Sequence, residues 1–195
     1  MRVEPNFRTL AALAVFLLTG CANLTAPMHR RALAVPTDAF LYGRFSLAAF
    51  KNALGEHPIV GLDFACEKDD THYNIGFSID EPLQVIKISG GNTCSLESLI
   101  FATTSDGRAV RKPAPEEFRA VIRFEPGTAY YLGDFSGSCF LGDVSPGLEL
   151  KCELYDPQDH YEQTTAELRS AFRGMSRIPT ENKALLPGHM SHREL

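Results

Sequence analysis

A chain of 195 residues, 44% hydrophobic and 10% aromatic, holds enough apolar side chains for one domain with a proper core. Its net charge of −5, with no basic stripe, excludes the phosphate neutralisation that nucleic-acid binding needs. No apolar run approaches the roughly 20 residues of a membrane-spanning helix.

The chain begins with a short flank in which Arg2 and Arg8 outnumber Glu4, followed by an apolar run from Leu10 to Leu18. A basic start, a short apolar stretch and small residues before a cut form a secretory signal peptide, here residues 1–20. The sequence Leu18-Thr19-Gly20-Cys21 resembles the lipobox of bacterial lipoproteins. That resemblance implies cleavage before Cys21, acylation of its thiol and of the new amino group, and a permanent membrane anchor. It also implies a cell-envelope location. Ala22 stands where aspartate favours inner-membrane retention in enteric bacteria, so the outer membrane is expected, facing the periplasm or the cell surface. Cleavage removes Arg2, Arg8 and Glu4 and leaves the mature chain more acidic by one charge.

Residues 21–39 read as the acylated N-terminus and a solvated tether, with Pro27, Pro36, Arg30 and Arg31 and no periodicity. Fully extended, such a tether reaches about 60 Å. From residue 40 to 176 the pattern is that of strands. Tyr73, Ile75, Phe77 and Ile79 alternate with His72, Asn74, Gly76 and Ser78, while Leu148, Leu150, Cys152 and Leu154 alternate with Glu149, Lys151 and Glu153. Such period-two alternation marks half-buried antiparallel strands. Further strands are expected at 40–50, 58–66, 83–89, 93–103, 119–124, 127–135 and 137–144. Turn chemistry separates them at Gly90-Gly91-Asn92, Ser105-Asp106-Gly107, Glu125-Pro126-Gly127 and Ser145-Pro146-Gly147. Lys112-Pro113-Ala114-Pro115-Glu116-Glu117 reads as a longer loop. The fold expected is mainly β: an antiparallel sandwich, or a small barrel, of about eight or nine strands with one C-terminal helix.

That helix is expected over 157–174, capped by Asp156 and opened by Pro157. Tyr161, Thr165, Leu168, Phe172 and Met175 form its apolar face. Residues 177–195 carry no signal for order and read as a tail.

With Cys21 assigned to lipid, four cysteines remain, an even number in an exported chain. Cys139 and Cys152 flank the turn at Ser145-Pro146-Gly147 nearly symmetrically and are expected to pair, which leaves Cys66 to Cys94. Four buried free thiols are the alternative. Cysteine and histidine spacings of a metal centre are absent.

The chemistry-bearing candidates are few. His189 and His192 lie three apart in a polar tail, His160 follows Asp159 at the helix start, and His72 sits beside the acidic turn Glu67-Lys68-Asp69-Asp70. A cation at Asp69 and Asp70 would need an alternating acidic pattern that the turn lacks. No nucleophile elbow, phosphate loop or dinucleotide fingerprint occurs, and Asp80-Glu81 and Glu116-Glu117 lie in polar loops. No cofactor, resident metal or catalytic residue is therefore assigned. The stretch Pro126-Gly127-Thr128-Ala129-Tyr130-Tyr131-Leu132-Gly133-Asp134-Phe135 is apolar on both faces and resembles a segment of small uncharacterised β-sandwich lipoproteins of the bacterial envelope. Packing accounts for Tyr130 and Tyr131, since sugar stacking would need them exposed.

The function expected is that of a lipid-anchored envelope protein, non-enzymatic, binding another envelope component such as a protein or glycan as an accessory or scaffold. Two alternatives stand beside it. One is an inhibitor of an envelope-directed hydrolase such as lysozyme. The other is a small-ligand-binding protein or hydrolase with a site near His72 and Asp69.

Overall fold

The computed structural model describes residues 24–68, 71–104, 109–116, 121–144, 147–186 and 193–194. The expected signal peptide (residues 1–20), Cys21, Asp69, Asp70, the turn residues 105–107 and 145–146, Glu117, His189 and His192 lie outside them.

Two sheets pack face to face as a β-sandwich and do not close into a barrel. The strands are β1 (Asp38–Phe50), β2 (Pro58–Cys66), β3 (Thr71–Gly76), β4 (Leu83–Ser89), β5 (Asn92–Thr103), β6 (Ala109–Pro113), β7 (Val121–Phe124), β8 (Ala129–Val144), β9 (Gly147–Leu154), β10 (Thr180–Asn182) and β11 (Arg193–Glu194). The first sheet has the order β11-β9-β8-β1-β4 with β10 also on β8; the second has the order β3-β2-β5-β6 with β7 also on β5. The stretches expected as two strands at 127–135 and 137–144 form one long β8. Its first residues pair with β10 and its later ones with β9. β6 occupies the beginning of the expected proline loop, with Pro113 ending it at a sheet edge.

The first sheet is mixed. β1 runs parallel to β8, and β10 does too, where an all-antiparallel pattern was expected. Side-chain alternation is the same in both pairings, so sequence period cannot tell them apart.

Between the sheets lie Leu41, Phe45, Val60, Leu62, Phe64, Ile75, Ile86, Leu96, Phe124, Tyr130 and Leu132, all buried. Phe45 stacks on Phe135, with Phe77 edge-on to both. A second core forms on the opposite face of the first sheet, where helix α1 (Tyr161–Ala171) and a following 3-10 turn bring Leu168, Phe172 and Met175 onto Phe40, Tyr42, Val85 and Tyr131. This explains why β8 is apolar on both sides: Tyr130 and Leu132 enter one core, Ala129 and Tyr131 the other.

The helix begins at Tyr161, not at Pro157. Gln158 instead forms a bridge with Asp134, and its N–H and C=O are both used there. That withdraws residues 157–160 from the helix. Asp156 therefore does not cap it; the N-cap position falls to His160, which makes no side-chain cap hydrogen bond, and Asp159 just before it accepts the Tyr161 N–H on Oδ1 at 3.0 Å.

Two segments expected to be loose are packed. β10 adds to β8, Leu185 is buried, and the Lys183 and Leu185 N–H groups donate to Tyr131 and Leu132. At the other end, the expected tether docks from Leu24 onward. Thr25 N–H donates to Asn74 C=O at 3.0 Å, its Oγ1 accepts the Asn74 N–H at 2.8 Å, and Met28 N–H donates to Val85 C=O at 2.6 Å. The segment bridges β3 and β4, the edges of the two sheets on one side of the sandwich. Chain that caps unpaired sheet edges has no alternation of its own, which is why it reads as linker.

The cysteines bridge as expected from the hairpin. Cys66 and Cys94 are cross-strand partners with Cα atoms 4.0 Å apart, and Cys139 and Cys152 are partners at 4.1 Å.

Candidate functional site

On β2, Val60, Leu62, Phe64 and Cys66 face the core, so Asp63 faces outward. Yet Asp63 is only 1% exposed. A carboxylate loses hydration when covered, and that cost is offset only by charge and hydrogen bonds. Three neighbours supply them. His72 Nδ1 lies 3.0 Å from Asp63 Oδ1, while Ser98 Oγ at 2.9 Å and Arg111 Nε at 3.2 Å both donate to Oδ2.

Sheet register brings these residues together. Asp63 pairs with Asn74 on β3 and Ser98 on β5, and His72 stands two residues from Asn74 on the same face. Ser98 pairs with Pro113 on β6, two residues from Arg111. Between Asp63 and Phe64 the register shifts, because β5 inserts Glu97 as an extra residue. A bulge re-aims a side chain; here it sends the Glu97 carboxylate to the rim of the cluster. Ala114 N–H, donating to Glu97 C=O at 2.8 Å, pins the bulge. The result is a pocket of about 740 Å³ lined by Asp63, His72, Glu97, Ser98 and Arg111, among others.

The geometry sets what these groups do. A carboxylate only accepts, so His72 Nδ1 donates to Asp63 and leaves Nε2 for other partners. Ser98 donates to Asp63 rather than to His72, so no base activates a serine nucleophile here. Asp63 is held by three donors beneath the rim and is not offered to a substrate as half of a carboxylate pair. The groups that remain open to a ligand are His72 Nε2, the Glu97 carboxylate and the terminal nitrogens of Arg111. One ligand atom each from Asp63, His72 and Glu97 lies within 4.8 Å of the others. Arg111 already occupies Asp63 Oδ2, which leaves His72 and Glu97 as the available pair for a cation.

The structure sets His72 against Asp63, with Ser98, Glu97 and Arg111 around the same pocket; its expected partner Asp69 is outside the described residues. Sequence reasoning missed Asp63 because it sits within the apolar run Val60-Gly61-Leu62-Asp63-Phe64. A lone carboxylate in a strand that is otherwise apolar was the available signal.

The other candidates resolve structurally. Tyr130 and Tyr131 are buried, so neither stacks on a ligand. Burial pushes both hydroxyls above the usual tyrosine range. Tyr131 donates to Asp134 and accepts the His160 N–H at 3.0 Å. Asp134 also accepts from Thr164 and lies 3.1 Å from His160 Nδ1. The stretch Tyr130-Tyr131-Leu132-Gly133-Asp134 is therefore a lock that fixes the start of α1 on the sheet. Gly133, at φ 126°, lets the chain turn Asp134 toward the helix. The sequence and the fold were compared with known protein families, curated proteins and solved structures, and nothing matches.

Proposed function

We propose that this chain is an exported lipoprotein, acylated at Cys21, that works by binding rather than catalysis and uses the Asp63–His72–Glu97–Arg111 pocket for a polar glycan of the cell envelope. The observation that carries this reading is a buried carboxylate network on the outer face of a sheet. Core packing has no use for it there, and packed apolar residues in place of the whole network would serve stability as well. Planar carboxylate and guanidinium groups pair with neighbouring sugar hydroxyls through two hydrogen bonds at once, and the remaining imidazole nitrogen adds a single one. The two disulfides and the lipobox-like Leu18-Thr19-Gly20-Cys21 support the export half of the reading.

Two measurements test it. Mass spectrometry of membrane-extracted protein is expected to find a chain beginning at a lipid-bearing Cys21; an unmodified Cys21 refutes the anchor. Isothermal titration with fragments of the envelope glycan is expected to give binding that Arg111→Met and His72→Ala each weaken at least tenfold. Equal binding by all three chains, or none by the unaltered one, refutes the pocket. A second reading rests on the ligand atoms of His72 and Glu97: a divalent cation, titrated alone, would bind and would lose binding in Glu97→Gln.

A further inference from the structure

The chain is ordered onto the domain three residues after the position assigned to the lipid, which gives the anchor a geometry. Leu24 lies on the outer face of the second sheet, over the cross-strand pair Gly61 and Gly76. Those glycines form its seat: a Cβ on Gly76 would stand 2.6 Å from Leu24 Cδ1, and one on Gly61 would stand 2.9 Å from Cδ2. Thr25 then adds to the edge of β3, and Met28 crosses to β4 and packs into the second core. Farther along, Gly174 closes on the same segment, where a Cβ would meet Ala32 C=O at 2.5 Å. From Met28 back to Leu24 the chain climbs around the β3 edge and onto the outer face. That face also carries the pocket, for Gly61 and Gly76 are two residues, about 7 Å, along their strands from Asp63 and Asn74.

Resting on the reading that Cys21 bears the lipid, we infer that the bilayer is the partner of this face. The anchor holds the domain against the membrane with the β3 edge and the adjoining outer face of β3-β2-β5-β6 toward the headgroups, and the Asp63–His72 pocket opens at the membrane surface. Three residues span at most about 11 Å, against about 60 Å for a free tether of residues 22–38. The acyl chains fix Cys21 at the base of the headgroup layer, so the face beneath Leu24 cannot stand off. The same face shows Val121, 69% exposed, and Arg123, which is paired with Glu125 at 2.7 Å. The glycan or other ligand of the pocket would then be one reached at the membrane plane.

Neutron reflectometry of the lipidated protein on a supported phosphatidylethanolamine–phosphatidylglycerol bilayer tests the arrangement. The protein layer is expected to begin within about 10 Å of the headgroups, since three extended residues permit no more. Hydrogen exchange on vesicles is expected to slow at Thr71–Gly76 and Val121–Phe124, relative to an unacylated Cys21→Ser chain, and to be unchanged in α1. Gly76→Val, which removes the seat of Leu24, is expected to move the layer outward. A hydrated gap of more than about 20 Å beneath the unaltered protein, beyond what three residues allow, overturns the docking while leaving the lipid intact. So does protection of α1 in place of β3. A chain washed off the bilayer, with Cys21 unmodified by mass, overturns the lipid reading and the docking with it.

Discussion

Removing the Asp63 carboxylate measures how the candidate site is held. In Asp63→Ala, three donors lose their acceptor, but they are not equivalent. The side chains of His72 and Arg111 are 38% and 43% exposed, so both turn to water, and the pair Asp63–Arg111 contributes no more than a half-exposed ion pair does, about 0–1 kcal/mol. Ser98 is 6% exposed and stays behind without an acceptor, at about 1–3 kcal/mol. Relief of the covered charge returns part of this. The expected net loss is about 2 kcal/mol, a fall in midpoint of about 4–8 °C for a domain of this size. Urea unfolding of the mature chain with Cys21→Ser and both disulfides intact reads it directly. The cycle with Arg111→Met should give a coupling of about 0.5–1 kcal/mol, as expected of neighbours in one network. A loss under about 0.5 kcal/mol would show that Asp63 is not the acceptor on which the cluster is built. So would a coupling of zero.

Four further outcomes follow from the structure. Burial pushes the Tyr42 hydroxyl up to about 12, and Tyr131 is raised by the same cause. The unfolded chain therefore releases these protons first, near pH 10. Stability is complete below that and falls between pH 10 and 12 by about 1.4 kcal/mol per pH unit for each tyrosine. Denaturant midpoints at pH 9, 10.5 and 11.5 check this, and Tyr42→Phe should flatten the slope; a midpoint constant over that range would contradict it. Gly133→Ala places a Cβ at φ 126° and 3.2 Å from the Phe135 ring, and should cost about 2 kcal/mol or more. Gly55→Ala, at φ 81° with open space around it, should cost about 1 kcal/mol by the same thermal melts. Replacing Cys139 and Cys152 by serine, and separately Cys66 and Cys94, should cost about 3 and 3.5 kcal/mol from chain entropy over separations of 13 and 28 residues. A smaller loss for the longer loop would speak against an entropic origin.

Local pattern carried much of the fold. The alternation of Leu150, Cys152 and Leu154 with Lys151 and Glu153 defines a strand whatever surrounds it, and with the turn before it places Cys152 opposite Cys139. Tyr161, Thr165 and Leu168 likewise make a stripe on α1 that must find apolar cover, while Phe172 and Met175, expected on the same helical face, lie beyond its end and still join the second core. These are properties of period and turn chemistry, which act over a few residues.

What the sequence determined alone, then, was the kind of element wherever alternation and turn chemistry are local, and which cysteines pair. Tertiary structure decided the rest, because the deciding contacts join residues far apart in the chain. Asp63, His72 and Arg111 meet only because β2 takes β3 on one side and β5 on the other, with β6 beyond it, and because one extra residue in β5 turns Glu97 to the rim. Whether β1 and β8 run parallel is invisible to a period of two. Leu24 through Met28 and Thr180 through Leu185 are ordered by edges that other strands leave open, and nothing in their own side-chain pattern announces it. An edge offers hydrogen bonds to whatever backbone reaches it, so the docking of these segments is written in the sheets rather than in the segments.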